Sequence, residues 1–167
     1  MTVGETPLDP KLRRTMEKQW KVLSLTWRSS VAALFLYLWL PVIVGLSRSP
    51  VSHPPYRGFR MVLWLVALVE AAALFWWSRR FLTKEGALRG IRGTAVNPLT
   101  YYVGRKIGAL GIAQSIAVYG LVLALVGGYF WDQYILTFLS AALLVWHYPS
   151  RGMLEELSGA AGAERQT

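Results

Sequence analysis

Four stretches of the chain carry no Lys or Arg: residues 29–47, 61–78, 107–131 and 133–148. Charged positions gather in short segments between them, so polar residues punctuate long apolar runs instead of alternating with apolar ones. That is the pattern of membrane-spanning helices. At about 1.5 Å per residue the second run covers about 27 Å and the third about 37 Å, against a hydrocarbon core of about 30 Å, so the third must tilt or protrude. The fourth is the shortest. The pattern predicts an all-α fold: an integral membrane four-helix bundle over residues 29–149, an amphipathic segment over 1–28 before it and a flexible tail over 150–167 after it.

The flanking segments are read from spacing and composition. Asp9 followed by Pro10 makes a helix start, with the acid as N-cap and proline at the first helical position. Leu12, Met16, Trp20 and Leu23 then recur at helical intervals while Lys11, Arg14, Lys18 and Lys21 take other faces. This predicts a basic amphipathic helix at the membrane surface; the alternative is a plain extension of the first span. The loop from Ser47 to Tyr56 holds Pro50, Pro54 and Pro55 and reads as a stiff connector. After Pro149 the closing Gly-Ala-rich stretch has little apolar content and is expected to fray.

Charge sets the expected orientation. Of the 18 Lys and Arg residues, 15 fall in the leading segment, the 79–106 connection and the tail, and only Arg48, Arg57 and Arg60 fall on the opposite side. Basic residues near spans collect in the cytoplasm, so both termini are expected there, in a cell inner (plasma) membrane. The net charge of +9 is thereby accounted for by orientation and by anionic lipid headgroups, without a basic patch for nucleic acid. The first apolar run begins only at Ser29, so it is expected to serve as an uncleaved anchor. Cysteine is absent, which excludes disulfides, thiolate catalysis and Cys-based metal sites.

Within this layout Glu70 stands out as the one charge between Arg60 and Arg79. A carboxylate at the centre of a spanning helix is costly and marks a functional or structural site. In the third run Ala113, Ala117, Gly120, Ala124 and Gly128 recur every three or four residues, a small-residue stripe that lets helices approach closely in lipid. Such a stripe serves either a subunit interface or packing within the chain. Gln114 lies beside it and is the second polar residue at depth, so Glu70 and Gln114 are expected to pair across helices. Arg79, Arg80 and Lys84 form a candidate lipid-headgroup site, against the plainer reading of a solvated connection. His53 and His147 lie near opposite faces, which argues against bis-histidine haem. Gly86, Gly90 and Gly93 lack the Lys-Ser/Thr ending of a phosphate loop, and neither a metal nor a cofactor is expected. The Trp and Tyr residues near span ends read as interfacial anchors.

The second and third runs also resemble each other. Residues 68–75 (Leu-Val-Glu-Ala-Ala-Ala-Leu-Phe) can be laid over 112–119 (Ile-Ala-Gln-Ser-Ile-Ala-Val-Tyr), acid on amide and aromatic on aromatic. With Gly120, Leu121 and Val122 following, and Val96-Asn97-Pro98 preceding, this region resembles the carboxylate-bearing helix of the proteolipid c subunits of rotary ATP synthases. The resemblance implies a proton- or cation-binding carboxylate at Glu70, with the non-ionising Gln114 at the corresponding position of the third run. The loop lacks an arginine directly before Asn97, and the first run holds one glycine, Gly45, where that family has a repeat. No set of nucleophile, base and metal ligand converges anywhere, so the expected function is non-catalytic. The leading expectation is an accessory or assembly subunit of a larger membrane complex, bound to a membrane-protein partner or to copies of itself. The alternative is proton or cation transport through Glu70.

Overall fold

The computed structural model describes residues 10–45, 57–83, 85–86 and 97–163. Five long helices account for nearly all of them: α1 (Pro10–Gly45), α2 (Arg57–Phe81), α3 (Pro98–Gly127), α4 (Phe130–Trp146) and α5 (Arg151–Ala163). No strand occurs among the described residues. Three helices, α1, α2 and α3, are long and apolar enough to cross a membrane, and α4 is a shorter apolar helix of 17 residues.

Helix α1 starts at Pro10 and runs 36 residues without a break. The surface helix expected over residues 1–28 is therefore not a separate element, and residues 1–9 lie outside the described ones. The reason is in the spacing. Met16, Trp20, Leu23, Trp27, Val31 and Leu34 form one continuous inward stripe across the supposed junction, with no Gly or Pro between them to end the helix. At about 1.5 Å per residue α1 reaches about 54 Å, well beyond a hydrocarbon core of about 30 Å.

The apolar face of the projecting part is covered by protein. Met16 packs with Leu99, Tyr102 and Val103 of α3 and with Leu154 and Leu157 of α5. The flexible tail expected over 150–167 is accordingly helical through Ala163. Its Gly and Ala content masked the spacing of Met153, Leu154 and Leu157, which puts an apolar face on the bundle while Glu155 and Glu156 stay outside.

The chain reverses between α3 and α4 in a tight turn, which moves the expected boundary at 131/133. Gly128 takes a left-handed conformation (φ 69°), its N–H bonded to the Ala124 carbonyl at 3.0 Å, and Tyr129 N–H reaches the Leu123 carbonyl at 3.2 Å. Glycine adopts that conformation without the clash a Cβ brings. One residue, Asp132, could not have reversed two spans; Gly127 to Tyr129 does, and Trp131 and Asp132 belong to the first turn of α4. At the other end of α3 the Asn97 side chain accepts the Leu99 N–H at 3.0 Å and Pro98 takes the first position, an N-terminal cap.

Helix α3 is the hub and contributes to three successive core layers. Ile116 and Leu123 pack with Ala67 and Leu136 near the α3–α4 turn. Ala113 and Ala117 pack with Leu23, Leu34, Leu74 and Leu144 in the middle, and Leu99 to Val103 meet α1 and α5 at the far end. Helix α2 is peripheral. It buries only Ala67 and Leu74 and turns Met61, Val62, Leu65, Leu68 and Val69 outward.

Candidate functional site: buried polar ties between helices

Glu70 sits half-buried midway along α2, ten residues from Arg60 and ten from Arg80. Both carboxylate oxygens are engaged by α3: Ser115 Oγ lies 2.6 Å from Oε2 and Tyr119 OH lies 2.7 Å from Oε1. The Ile112 carbonyl is 2.7 Å from the same Ser115 hydroxyl. A hydroxyl has one proton and two lone pairs. With Glu70 ionised, Ser115 and Tyr119 donate to it. With Glu70 protonated, it can donate to Ser115 while Ser115 donates to Ile112. The set is satisfied in both states, so none of its own hydrogen-bonding groups is stranded.

Gln114, the expected partner of Glu70, is placed elsewhere. Its Oε1 is buried without a hydrogen-bond partner among the described residues, and the neighbouring Ser115 takes the contact with Glu70. One residue along a helix is about 100° of rotation, so an alignment that set the acid against the amide missed the facing side chain by one position. The small-residue stripe lies inside the chain. Ala113, Ala117 and Gly120 are fully covered, and Ala124 nearly so. A methyl group added at Gly120 would sit 3.0 Å from the Gln133 Cα and 3.1 Å from the Leu136 Cβ of α4. Gly128 is outside the stripe and serves the turn.

Helix α4 buries four polar side chains that the sequence reading did not single out, Asp132, Gln133, Thr137 and Ser140, and His147, considered there only as a haem ligand, is buried at its C-cap. The steps of four, three and seven residues from Gln133 through Thr137 and Ser140 to His147 mark one inward face, a signal present in the sequence. Pro41, inside α1, has no N–H to give the carbonyl four residues earlier, and that carbonyl, on Tyr37, accepts Gln133 Nε2 at 2.5 Å. Ser140 Oγ donates to the Ala113 carbonyl at 2.5 Å. At the C-terminus of α4, His147 N–H bonds to the Leu143 carbonyl and Tyr148 N–H to Val145, leaving Leu144 between them. The Trp27 indole donates to that carbonyl at 2.9 Å.

No family model, curated protein or solved structure matches this chain.

The remaining polar contacts lie at the two ends of the bundle. At the turn end, Arg60 of α2 grips Asp132 of α4 through two bonds, 2.5 Å from Nε to Oδ2 and 2.9 Å from Nη2 to Oδ1, and stacks over the Tyr129 ring at 4.9 Å. The Asp132 side chain is only 4% exposed, and its place in the first turn of α4 also favours a negative charge. At the opposite, basic end, Arg79 lies 4.3 Å over Phe75 and Arg80 5.3 Å over Trp76, both exposed, while Lys84 lies outside the described residues. The guanidinium held among rings is Arg105, 4.3 to 4.7 Å from Phe81, Tyr101 and Trp77. His53 also lies outside the described residues. No group of three His, Asp or Glu side chains is placed to hold a metal ion among the described residues.

Taken together, these side chains tie helix to helix. Glu70 with Ser115 and Tyr119 and Arg60 with Asp132 hold α2; Gln133 and Trp27 join α1 to α4; Ser140 joins α4 to α3. A cavity of about 670 Å³ lies elsewhere, between α1 and α4, and is walled by apolar side chains such as Val31, Leu34, Ile135 and Phe138. Chemically, the arrangement can fix helices in register and can hold a carboxyl group in either protonation state.

Proposed function

We propose that this chain is a non-catalytic accessory or assembly subunit of a larger membrane complex, a four-span inner-membrane protein with both termini in the cytoplasm. The observation that carries the reading is the commitment of both Glu70 oxygens to Ser115 and Tyr119 of the adjacent helix. A transport carboxylate must exchange its proton or cation with water on each side. Glu70 instead completes a lateral contact that holds the peripheral helix α2 to the hub. Support for a partner comes from α2 itself, whose outward apolar face offers a flank to neighbouring helices as well as to lipid. The orientation rests on the crowding of basic residues at the end of the bundle opposite Arg60.

The test is affinity purification in lipid-preserving particles followed by native mass spectrometry, for the wild type and Glu70→Gln. A defined hetero-complex, retained in Glu70→Gln, is the expected result. The competing reading, which the proteolipid resemblance supports, makes Glu70 an ion-coupling carboxylate. Proton-dependent flux into vesicles containing this chain alone, lost in Glu70→Gln, would overturn the accessory role.

A further inference from the structure

The contact between α3 and α4 repeats every seven residues. Gly120, Ala113 and Lys106 follow one another along α3, and Gln133, Ser140 and His147 along α4. Gly120 abuts Gln133, and the Ala113 carbonyl receives the Ser140 hydroxyl. Because the helices are antiparallel, the same step sets Lys106 opposite His147, and the lysine is close enough for its charge to act on the imidazole. A seven-residue repeat of this kind keeps one seam facing one partner.

The first two layers each make a hydrogen bond to a neighbouring helix, Gln133 Nε2 to the Tyr37 carbonyl and Ser140 to the Ala113 carbonyl, with Gln133 Oε1 left unpartnered. The third is open. Lys106 is 7% exposed and His147 1%, neither imidazole nitrogen has a hydrogen-bond partner, and Lys106 has no ion pair among the described residues. An imidazole buried with both nitrogens unpartnered, on a layer shared with a largely buried lysine, is costly, because buried polar groups are normally satisfied. A groove of about 120 Å³ between α2 and α4 reaches His147 of this layer. It is lined by Leu139, Leu143 and Phe75 along its length, with Ser78, Trp146 and His147 among its walls.

We infer that the Lys106–His147 layer binds the phosphate of an anionic glycerophospholipid, with an acyl chain of that lipid lying in the groove between α2 and α4. The charges are complementary, since phosphate oxygens accept from both an ammonium and an imidazole N–H. The apolar walls of the groove and the polar layer it reaches match the two ends of such a molecule. This site is distinct from Arg79 and Arg80, which are exposed and stacked on rings. It does not depend on the accessory role proposed above.

The experiment is native mass spectrometry of the full chain released from bilayers of phosphatidylglycerol and phosphatidylcholine in equal parts. One phosphatidylglycerol per chain is expected to stay bound to the wild type and to the exposed-charge control Lys21→Gln. Retention should fall about tenfold in Lys106→Gln and in His147→Gln, the effect of losing one charge-assisted hydrogen bond. Equal retention by wild type and both variants would overturn the site. To keep the test independent of how either variant folds, the wild type is also melted in micelles of each lipid and with inorganic phosphate. A higher midpoint in phosphatidylglycerol alone supports the lipid, whereas the same rise with inorganic phosphate, or an acidic protein retained in place of lipid, refutes it.

Discussion

Replacing Gln133 by Leu should cost stability only because Pro41 is present. Pro41 leaves the Tyr37 carbonyl without its helical donor, and the Gln133 amide, buried to 1% exposure, supplies one at 2.5 Å from α4. Leucine has similar volume and no donor, so Gln133→Leu leaves that carbonyl unsatisfied. An orphaned buried acceptor costs about 1–3 kcal/mol, and interhelical hydrogen bonds in membranes average about 0.6 kcal/mol. Gln133 Oε1 is itself buried without a partner, so its removal recovers part of the loss. A net destabilisation of about 1–2 kcal/mol follows. In Pro41→Ala the new N–H can bond to Tyr37 within α1, and Gln133→Leu in that background should cost about 0.5 kcal/mol or less. Reversible unfolding of the four proteins in mixed micelles gives the coupling energy, expected at about 1 kcal/mol. Equal costs of Gln133→Leu in both backgrounds would refute the assignment.

Three further outcomes are expected. Gly120→Val drives a side chain into the Gln133 backbone and should cost about 1–3 kcal/mol in the same unfolding assay, whereas Gly104→Val, in open space, should be far milder. Arg60→Ala should destabilise more than Asp132→Asn, because it strands a carboxylate that is 4% exposed, while removing the acid frees an arginine that is 46% exposed and can meet water. Leu154→Ala combined with Leu157→Ala should detach α5 from Met16, Leu99 and Tyr102, read as faster tryptic cleavage at Arg151 with the remaining bundle intact; an unchanged cleavage rate would contradict the packing.

Much of the architecture was legible because lipid imposes a coarse rule. Arg60 and Arg79 bracketed α2, the apolar runs located α1 and α3, and Glu70 was conspicuous as a lone charge. What the sequence hid was rotation. Glu70 meets Ser115 and Tyr119, one and five positions from the amide it was aligned with, and nothing in an apolar helix announces which side turns toward its neighbour. The α3–α4 boundary was hidden because Gly128, which makes the turn, read as a member of a small-residue stripe. Composition misled at the C-terminus, where Leu154 and Leu157 outweigh the glycines and alanines around them. On α4, the inward polar positions 133, 137 and 140 had the right spacing and were overlooked because an apolar run draws attention to length instead of phase.

The ties made by α1 have a consequence in time. Tyr37 is joined to a side chain 96 residues later, Trp27 to a carbonyl 117 residues later, and Met16 to Ser158 across 142 residues. A ribosome adding about 5–20 residues per second needs about 5–20 s to pass from Tyr37 to Gln133. Throughout that interval α1 has an unanswered carbonyl on Tyr37 and an incompletely covered face at Met16, because the groups that meet them have not yet all been made. Synthesis of α4 and α5 ends that period, so α1, made before the other described helices, is among the last to have its contacts completed.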